Sequence, residues 1–224
     1  MLVATVVDLD ETLADSAATW TRVIGAVAGR HGHTWTTGDW QAIQGNSTSY
    51  WGAYLAHRCP GLTTEAAVAE CVTGMVAAVG RGDFGLLPGA ADLVATAAGL
   101  GPVGLVSASP APYVRAAVAA FGLTRYLRAI VTGDDVRCGK PAPDPYLRAA
   151  DLLDVPPGHC LAIEDSGSGI RSAHAAGMTV LAVPNATTAL DHVVLNLADH
   201  LAADAQIATK ALPTLVGVTL PGDE

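Results

Sequence analysis

Two textures alternate along the chain. The opening run Leu2-Val3-Ala4-Thr5-Val6-Val7 is uncharged and β-rich, which predicts a buried strand. From about Asp15 to Gly80 the apolar positions fall instead at helix spacing, as in Trp20, Val23, Ile24, Val27 and Ala28, with Asp15 or Ser16 as N-cap. Further helical runs cover Tyr50–His57 and Thr64–Val79. A linker-like stretch, Gly82 to Gly89, precedes a helix over Ala90–Ala98. Short apolar strands then alternate with helices. The strands are Val103–Val106, Ala129–Val131, Cys160–Ile163 and Thr179–Val183, with a weak last one near Gln206-Ile207. The helices are Ala111–Phe121, Tyr146–Leu153 and Gly169–Ala176. Such alternation predicts an α/β fold with a doubly wound parallel sheet. The first strand belongs to that sheet, so the helical block of residues 15–81 is an insertion between residues 1–14 and 82–224 of the sheet-bearing unit.

Composition narrows the setting. Half of the 224 residues are hydrophobic and 15% are charged, enough for a packed core. A net charge of -9 argues against nucleic acid, which needs a basic surface. It does not argue against a small anion, because local cations matter more than the total. The only lysines are Lys140 and Lys210, so the place of each is informative. Cys59, Cys71, Cys138 and Cys160 show no C-x-x-C pairing and no zinc-ligand spacing, which suits reduced thiols. No run has signal-peptide character or membrane-spanning length, so a cytoplasmic protein without membrane contact, monomer or homodimer, is expected.

The chemistry gathers where strands end. Asp8 and Asp10 follow the first strand, one residue apart, with Thr12 beyond. Residues two apart on a strand point the same way, so both acids would face one crevice at the rim where open α/β sheets bind ligands. Like charges that close raise each other's pKa unless a divalent cation or a shared proton intervenes. An Asp-rich turn at a strand end is the plainer reading. The second strand ends Ser107-Ala108-Ser109, where a hydroxyl and backbone N–H groups before a helix suit a phosphate oxygen, though serines there are usually turn formers. The third is followed by Gly139-Lys140-Pro141, a lone lysine that could neutralise an anion or could be an ordinary surface residue. The fourth ends Glu164-Asp165-Ser166-Gly167. Asp8, Asp10 and Asp165 would together give a hard-oxygen site matching Mg²⁺.

D-L-D-E-T-L, V-S-A-S, G-K-P-A-P-D-P-Y and I-E-D-S-G-S-G-I resemble the four motifs of the haloacid dehalogenase superfamily. The insertion resembles the α-helical cap of the subgroup that contains phosphoglycolate phosphatase and β-phosphoglucomutase. The resemblance implies a Rossmann-like core of residues 1–14 and 82–224 with a cap over 15–81. It implies Asp8 as nucleophile, taking the phosphoryl group as an aspartyl-phosphate, and Asp10 as acid and then base. Mg²⁺ would sit on the Asp8 carboxylate, the Asp10 carbonyl and Asp165, with Glu164 outside them and Thr12 orienting the loop. Ser107, Ala108 and Lys140 would hold the transferring oxygens. The hinges would lie near Leu13–Asp15 and Gly82–Pro88.

Departures from the family pattern bear on reaction type. Glu11 stands where many relatives carry glycine, and its side chain is expected to turn outward. Trp20 and Thr48 occupy positions where the mutase pattern has a histidine and an arginine, which makes a phosphosugar mutase the second choice. No lysine precedes Lys140, which excludes a Schiff-base phosphonatase. Asp10 and Asp165 argue against a dehalogenase, and retained Asp8 and Lys140 against a non-catalytic binding member. Among cap residues, Asn46 and Thr48 beside Gly45 are candidates to meet the leaving group. Trp20 and Trp51 are expected in the cap core first and in the pocket second, and His57 and Arg58 in solvent. The expected activity is a Mg²⁺-dependent phosphatase for a small phosphorylated metabolite such as a sugar phosphate.

Overall fold

The computed structural model describes residues 1–43, 47–185, 188 and 190–217. Asn46 therefore lies outside the described residues, as does the C-terminal Pro221-Gly222-Asp223-Glu224. Six parallel strands form one sheet: β1 (Ala4–Asp8), β2 (Val103–Val106), β3 (Leu127–Val131), β4 (Cys160–Glu164), β5 (Thr179–Ala182) and β6 (His200–Leu201). Their order is β3-β2-β1-β4-β5-β6, the doubly wound arrangement expected.

Strand periodicity sorts the apolar residues into two cores, one on each face. Val7, Leu105, Leu161 and Leu181 face helices α5 (Ala90–Leu100), α6 (Ala111–Ala120) and α10 (Ala205–Leu215). Ala4, Val6, Ala162 and Val180 face α7 (Asp144–Leu153) and α8 (Gly167–Ala175), and Val194 of the short α9 (His192–Leu195) joins them. The weak last strand was misplaced: Gln206 and Ile207 belong to α10, whose N-cap Asp204 accepts from the Ile207 N–H at 2.8 Å. The edge strand is instead the two-residue β6, too short to carry any alternation.

Between β1 and α5 the chain runs through α1 (Ala17–Arg30), α2 (Thr37–Ile43), α3 (Thr48–Arg58) and α4 (Thr64–Arg81). The two crossings of residues 13–15 and 85–87 pair antiparallel, with Leu87 N–H donating to Leu13 O at 2.8 Å and Asp15 N–H to Gly85 O at 3.0 Å. Helix α4 starts at the N-cap Thr63 and stops at Gly82, whose φ of 69° is the left-handed cap that glycine takes without strain. It packs on α1, α3 and α6. Among the described residues no helix is long and apolar enough to cross a membrane.

One polar cluster fixes α2 against α3. Asp39, 3% exposed, accepts from Thr36 N–H and Oγ1, from Tyr54 Oη and, at 3.2 Å, from His33 Nε2. Burial works against its charge, but the donors outweigh burial and hold the carboxyl well below the usual carboxylate range. A depressed carboxyl pKa gives stability that is present above the unfolded value of about 3.9 and lost as pH falls toward the folded value. Asp39→Asn should therefore cost about 1–3 kcal/mol at pH 7, with the gap to wild type narrowing below about pH 4. Thermal unfolding of both proteins at pH 7 and pH 3 checks the sign.

Candidate active site

The crossover direction reverses between β1 and β4, and there the carboxyl ends of two neighbouring strands open a crevice. Asp8 ends β1, Glu164 ends β4, and Asp165 follows it. Lys140 reaches between them from the loop after β3. Its Nζ donates to Asp8 Oδ1 at 2.6 Å, to Glu164 Oε1 at 2.5 Å and to Val106 O at 3.4 Å. All three ammonium protons are thus engaged. Burial opposes the charge on Lys140, but the two carboxylates outweigh it and raise its pKa, so the ammonium persists.

Glu164, 0% exposed, is held on both oxygens. Lys140 and Tyr146 Oη (2.7 Å) bond Oε1, while the Ser166 N–H (3.2 Å) and Oγ (3.0 Å) bond Oε2. A Cβ at Gly169 would occupy the place of this carboxylate, which accounts for the second glycine of Ser166-Gly167-Ser168-Gly169. Asp165 accepts from Thr12 Oγ1 at 2.9 Å and from Asn185 Nδ2 at 3.5 Å. Burial pushes the Asp8 carboxyl up to about 7; Lys140 partly offsets this, while Glu164 and Asp10 add repulsion. Burial, then Asp8 and Glu164, likewise raise Asp165.

These shifts describe a cluster short of positive charge. Asp8, Glu164 and Asp165 each offer an oxygen within 4.8 Å of the others, with a single ammonium among them. Hard oxygen donors with a negative surplus fit Mg²⁺. Since four donors already occupy Glu164, Asp8 and Asp165 are the residues whose chemistry fits direct ligation.

Asp10 stands across the crevice, its carboxylate oriented by five donors. Tyr113 Oη (2.7 Å), Ser16 Oγ (2.7 Å) and Trp20 Nε1 (3.3 Å) bond Oδ1. Ser109 Oγ (2.8 Å) and Ser107 Oγ (3.2 Å) bond Oδ2. Burial, and then Asp10, raise the Tyr113 phenol well above its ordinary value, so it stays a proton donor. The sequence places Ser16 only as an N-cap and Ser109 only in the turn after the second strand, and it assigns no site role to Tyr113 or Tyr146. The available signal was the two tyrosines at helix positions otherwise apolar, since a buried phenol needs a partner.

One reading of the loop after Asp10 is corrected. Glu11 does not turn outward. At φ 65° its backbone folds back, and Oε1 accepts the N–H groups of Ser16 (2.8 Å) and Ala17 (2.7 Å), capping α1 in place of a Ser16 side-chain bond. A left-handed backbone costs a non-glycine residue roughly 1–2 kcal/mol, which hydrogen bonds to a charged carboxylate at about 1.5–3 kcal/mol each offset. Trp20 and Trp51, each 8% exposed, are buried and still line the crevice.

The crevice is one cavity of about 170 Å³, the scale of a small molecule rather than a polymer. It brings together Asp8, Asp10, Ala108, Lys140, Asp165 and Trp20. Ser107 and Thr48 line a neighbouring cavity that shares only Ala108 and Lys140 with the first. Thr48 Oγ1 donates to Ala108 O at 3.2 Å, joining α3 to the loop after β2.

Comparison with known proteins agrees with this geometry. Protein CbbY of Rhodobacter capsulatus is 40% identical over 148 residues, 61% of this chain and 62% of that protein. Validoxylamine A 7'-phosphate phosphatase of Streptomyces hygroscopicus subsp. limoneus is 35% identical over 103 residues, 46% of this chain and 47% of that protein. The chain thus matches less than two thirds of either relative's length. The crystal structure of CbbY from Rhodobacter sphaeroides in complex with phosphate superposes with a TM-score of 0.83 at 26% identity, covering 92% of this chain and 96% of that one. A family model, haloacid dehalogenase-like hydrolase, matches residues 3–177. With its strand-end carboxylates and lysine gathered at the switch point of that same fold, the chain belongs to the haloacid dehalogenase-like hydrolase family.

Proposed function

We propose that the chain is a phosphatase that hydrolyses a small phosphomonoester, a sugar phosphate or similar metabolite, by way of an aspartyl-phosphate on Asp8. The observation that carries this reading is the pair of carboxylates, Asp8 and Asp10, on one small cavity with Lys140 beneath. One is held by an ammonium and has an oxygen, Oδ2, that accepts no hydrogen bond among the described residues. The other is oriented from the opposite side by hydroxyl groups and an indole N–H.

The Asp8 carboxylate attacks phosphorus, forming a P–O bond as the ester P–O bond breaks. Asp10 donates a proton to the departing oxygen. The resulting Asp10 carboxylate then takes a proton from water, whose oxygen attacks phosphorus and releases Asp8 and inorganic phosphate. Lys140 and the backbone N–H groups around Ala108 stabilise the transferring oxygens, and Tyr113, Ser16 and Ser109 keep Asp10 facing the ester. Asp8, the Asp10 carbonyl and Asp165 would hold Mg²⁺, which when bound supplies charge neutralisation between an anionic nucleophile and an anionic phosphate. Residues 15–81 act as a cap, moving on the paired crossings at 13–15 and 82–88 and excluding water during the first transfer. The relatives named for phosphatase activity and for bound phosphate support the same reading.

Phosphate release from a panel of small phosphomonoesters, with Mg²⁺ and with chelator, tests it. Chelation should lower the rate at least about 100-fold, with recovery on adding Mg²⁺, as expected when a charge-stabilising group is lost. A full rate in chelator would refute the metal assignment. Isomerisation of a hexose 1-phosphate outpacing release would favour the mutase.

A further inference from the structure

The floor of the cavity is polar, but its far wall is not. Trp20 and Ile24 of α1, Trp40 and Ile43 of α2 and Trp51 of α3 make an aromatic and aliphatic wall beyond Asp10. Trp20 stands edge-on to Trp51 at 5.9 Å and to Tyr113 at 5.1 Å, which fixes its orientation. Trp40 is half-buried, packed against the core and lining the cavity.

No cationic side chain joins this wall among the described residues. Those of α1 to α4 and the turns between them are spent elsewhere. Arg22 and Arg81 pair with Asp83, Arg30 and His31 with Glu70, and His33 and Arg58 with Asp39. His57 is exposed and lines no part of the cavity. By sequence, residues 44–46 are Gln-Gly-Asn and carry no charge. The one ammonium on the cavity, Lys140, has its protons on Asp8, Glu164 and Val106 O. A second anion on the leaving group would therefore meet indoles and the Asp10 and Glu11 side chains, with no compensating cation. That is unfavourable desolvation joined to like-charge repulsion.

We infer that this wall selects a phosphomonoester whose leaving group carries no second anionic group and presents the apolar face of a ring, as a cyclic polyol or pyranose does. The inference deepens the phosphatase reading and rests on it for the identity of the phosphoryl site. Trp40 is the specificity-determining residue, because Trp20 and Trp51 are buried and stand edge-on to each other, whereas Trp40 lines the same cavity and is only half-buried.

The test compares kcat/KM for neutral-ring monophosphates with kcat/KM for 2-phosphoglycolate and for sugar bisphosphates. Binding of the same compounds to Asp8→Asn is followed by indole fluorescence, which reads selectivity without turnover. Neutral-ring esters should lead by at least tenfold in both measurements. Trp40→Ala should raise KM for the ring ester by about tenfold, more than for methyl phosphate, which has no ring to stack. Trp40→Arg should narrow the gap between neutral and anionic esters by a similar factor. Absence of turnover with the binding preference retained would sink the phosphatase reading and leave the wall's selectivity standing. Preference for a carboxylate- or bisphosphate-bearing ester would overturn the inference. If Arg137→Ala then abolished a bisphosphate preference, the second anion would belong to the neighbouring cavity, which Arg137 lines with Ser47, Thr48 and Gly139.

Discussion

Asp8→Asn should abolish phosphate release, by at least about 10³-fold, because on the proposed mechanism it removes the nucleophile, and removing one member of a catalytic unit costs nearly the whole of its rate. The same change should leave melting temperature unchanged or raise it in metal-free buffer. The carboxyl of Asp8 is pushed up to about 7 by burial, with repulsion from Glu164 and Asp10 adding to it. An acid whose folded pKa lies above its unfolded value of about 3.9 stabilises the fold below that value, and the contribution is lost as pH rises through about 7. Above about pH 7 the wild type therefore carries an ionised Asp8 at a cost that asparagine does not have. Asparagine keeps the shape, and its Oδ1 still accepts from Lys140. Activity lost with stability kept is the signature of a chemical role. Calorimetry at pH 8 with a phosphate-release assay reads both, and a melting temperature several degrees below wild type would show Asp8 to be a structural counter-ion instead.

The sheet was legible because its strands are short apolar runs bounded by turn residues. Val103–Val106 coincides with β2, and the other strong runs differ from β3, β4 and β5 only at their ends. What escaped had no such pattern. The edge strand His200–Leu201 is exposed and two residues long, while Gln206-Ile207, read as a weak strand, lies in the first turn of α10. At the site, acids and the lysine stand out in a chain with so few lysines, whereas their supports do not. Tyr113 and Tyr146 carry no such mark in the sequence, and only the fold puts Asp10 and Glu164 against their hydroxyls. Glu11 was misjudged because only its left-handed backbone turns the side chain onto α1. Trp20 and Trp51 show that core and pocket are not alternatives for a large indole, since one face can pack while its edge lines a cavity.

Lys140→Met should be the most destabilising single change at the site. It leaves a side chain of similar length but removes the one cation among three carboxylates whose oxygens lie within 4.8 Å. Two short charge-assisted bonds, to Asp8 and to Glu164, vanish together. Breaking a buried pair by deleting one partner costs about 3–5 kcal/mol, because the other charge is left uncompensated. For a chain of this size that is a fall of roughly 6–20 °C in melting temperature. Glu164 suffers most: it is fully buried and cannot turn to solvent, with the Gly169 backbone packed against its carboxylate. Phosphate release should drop at least about 100-fold, since in the proposed mechanism the charge of Lys140 beside Asp8 stabilises the transferring oxygens. Mg²⁺ should raise the melting temperature of Lys140→Met more than that of wild type, because the variant's cluster carries one more uncompensated negative charge. A variant as stable as wild type, with no extra response to Mg²⁺, would mean that the charges of Asp8 and Glu164 are not compensated by Lys140. The surplus charge that points to a metal site would then need another source.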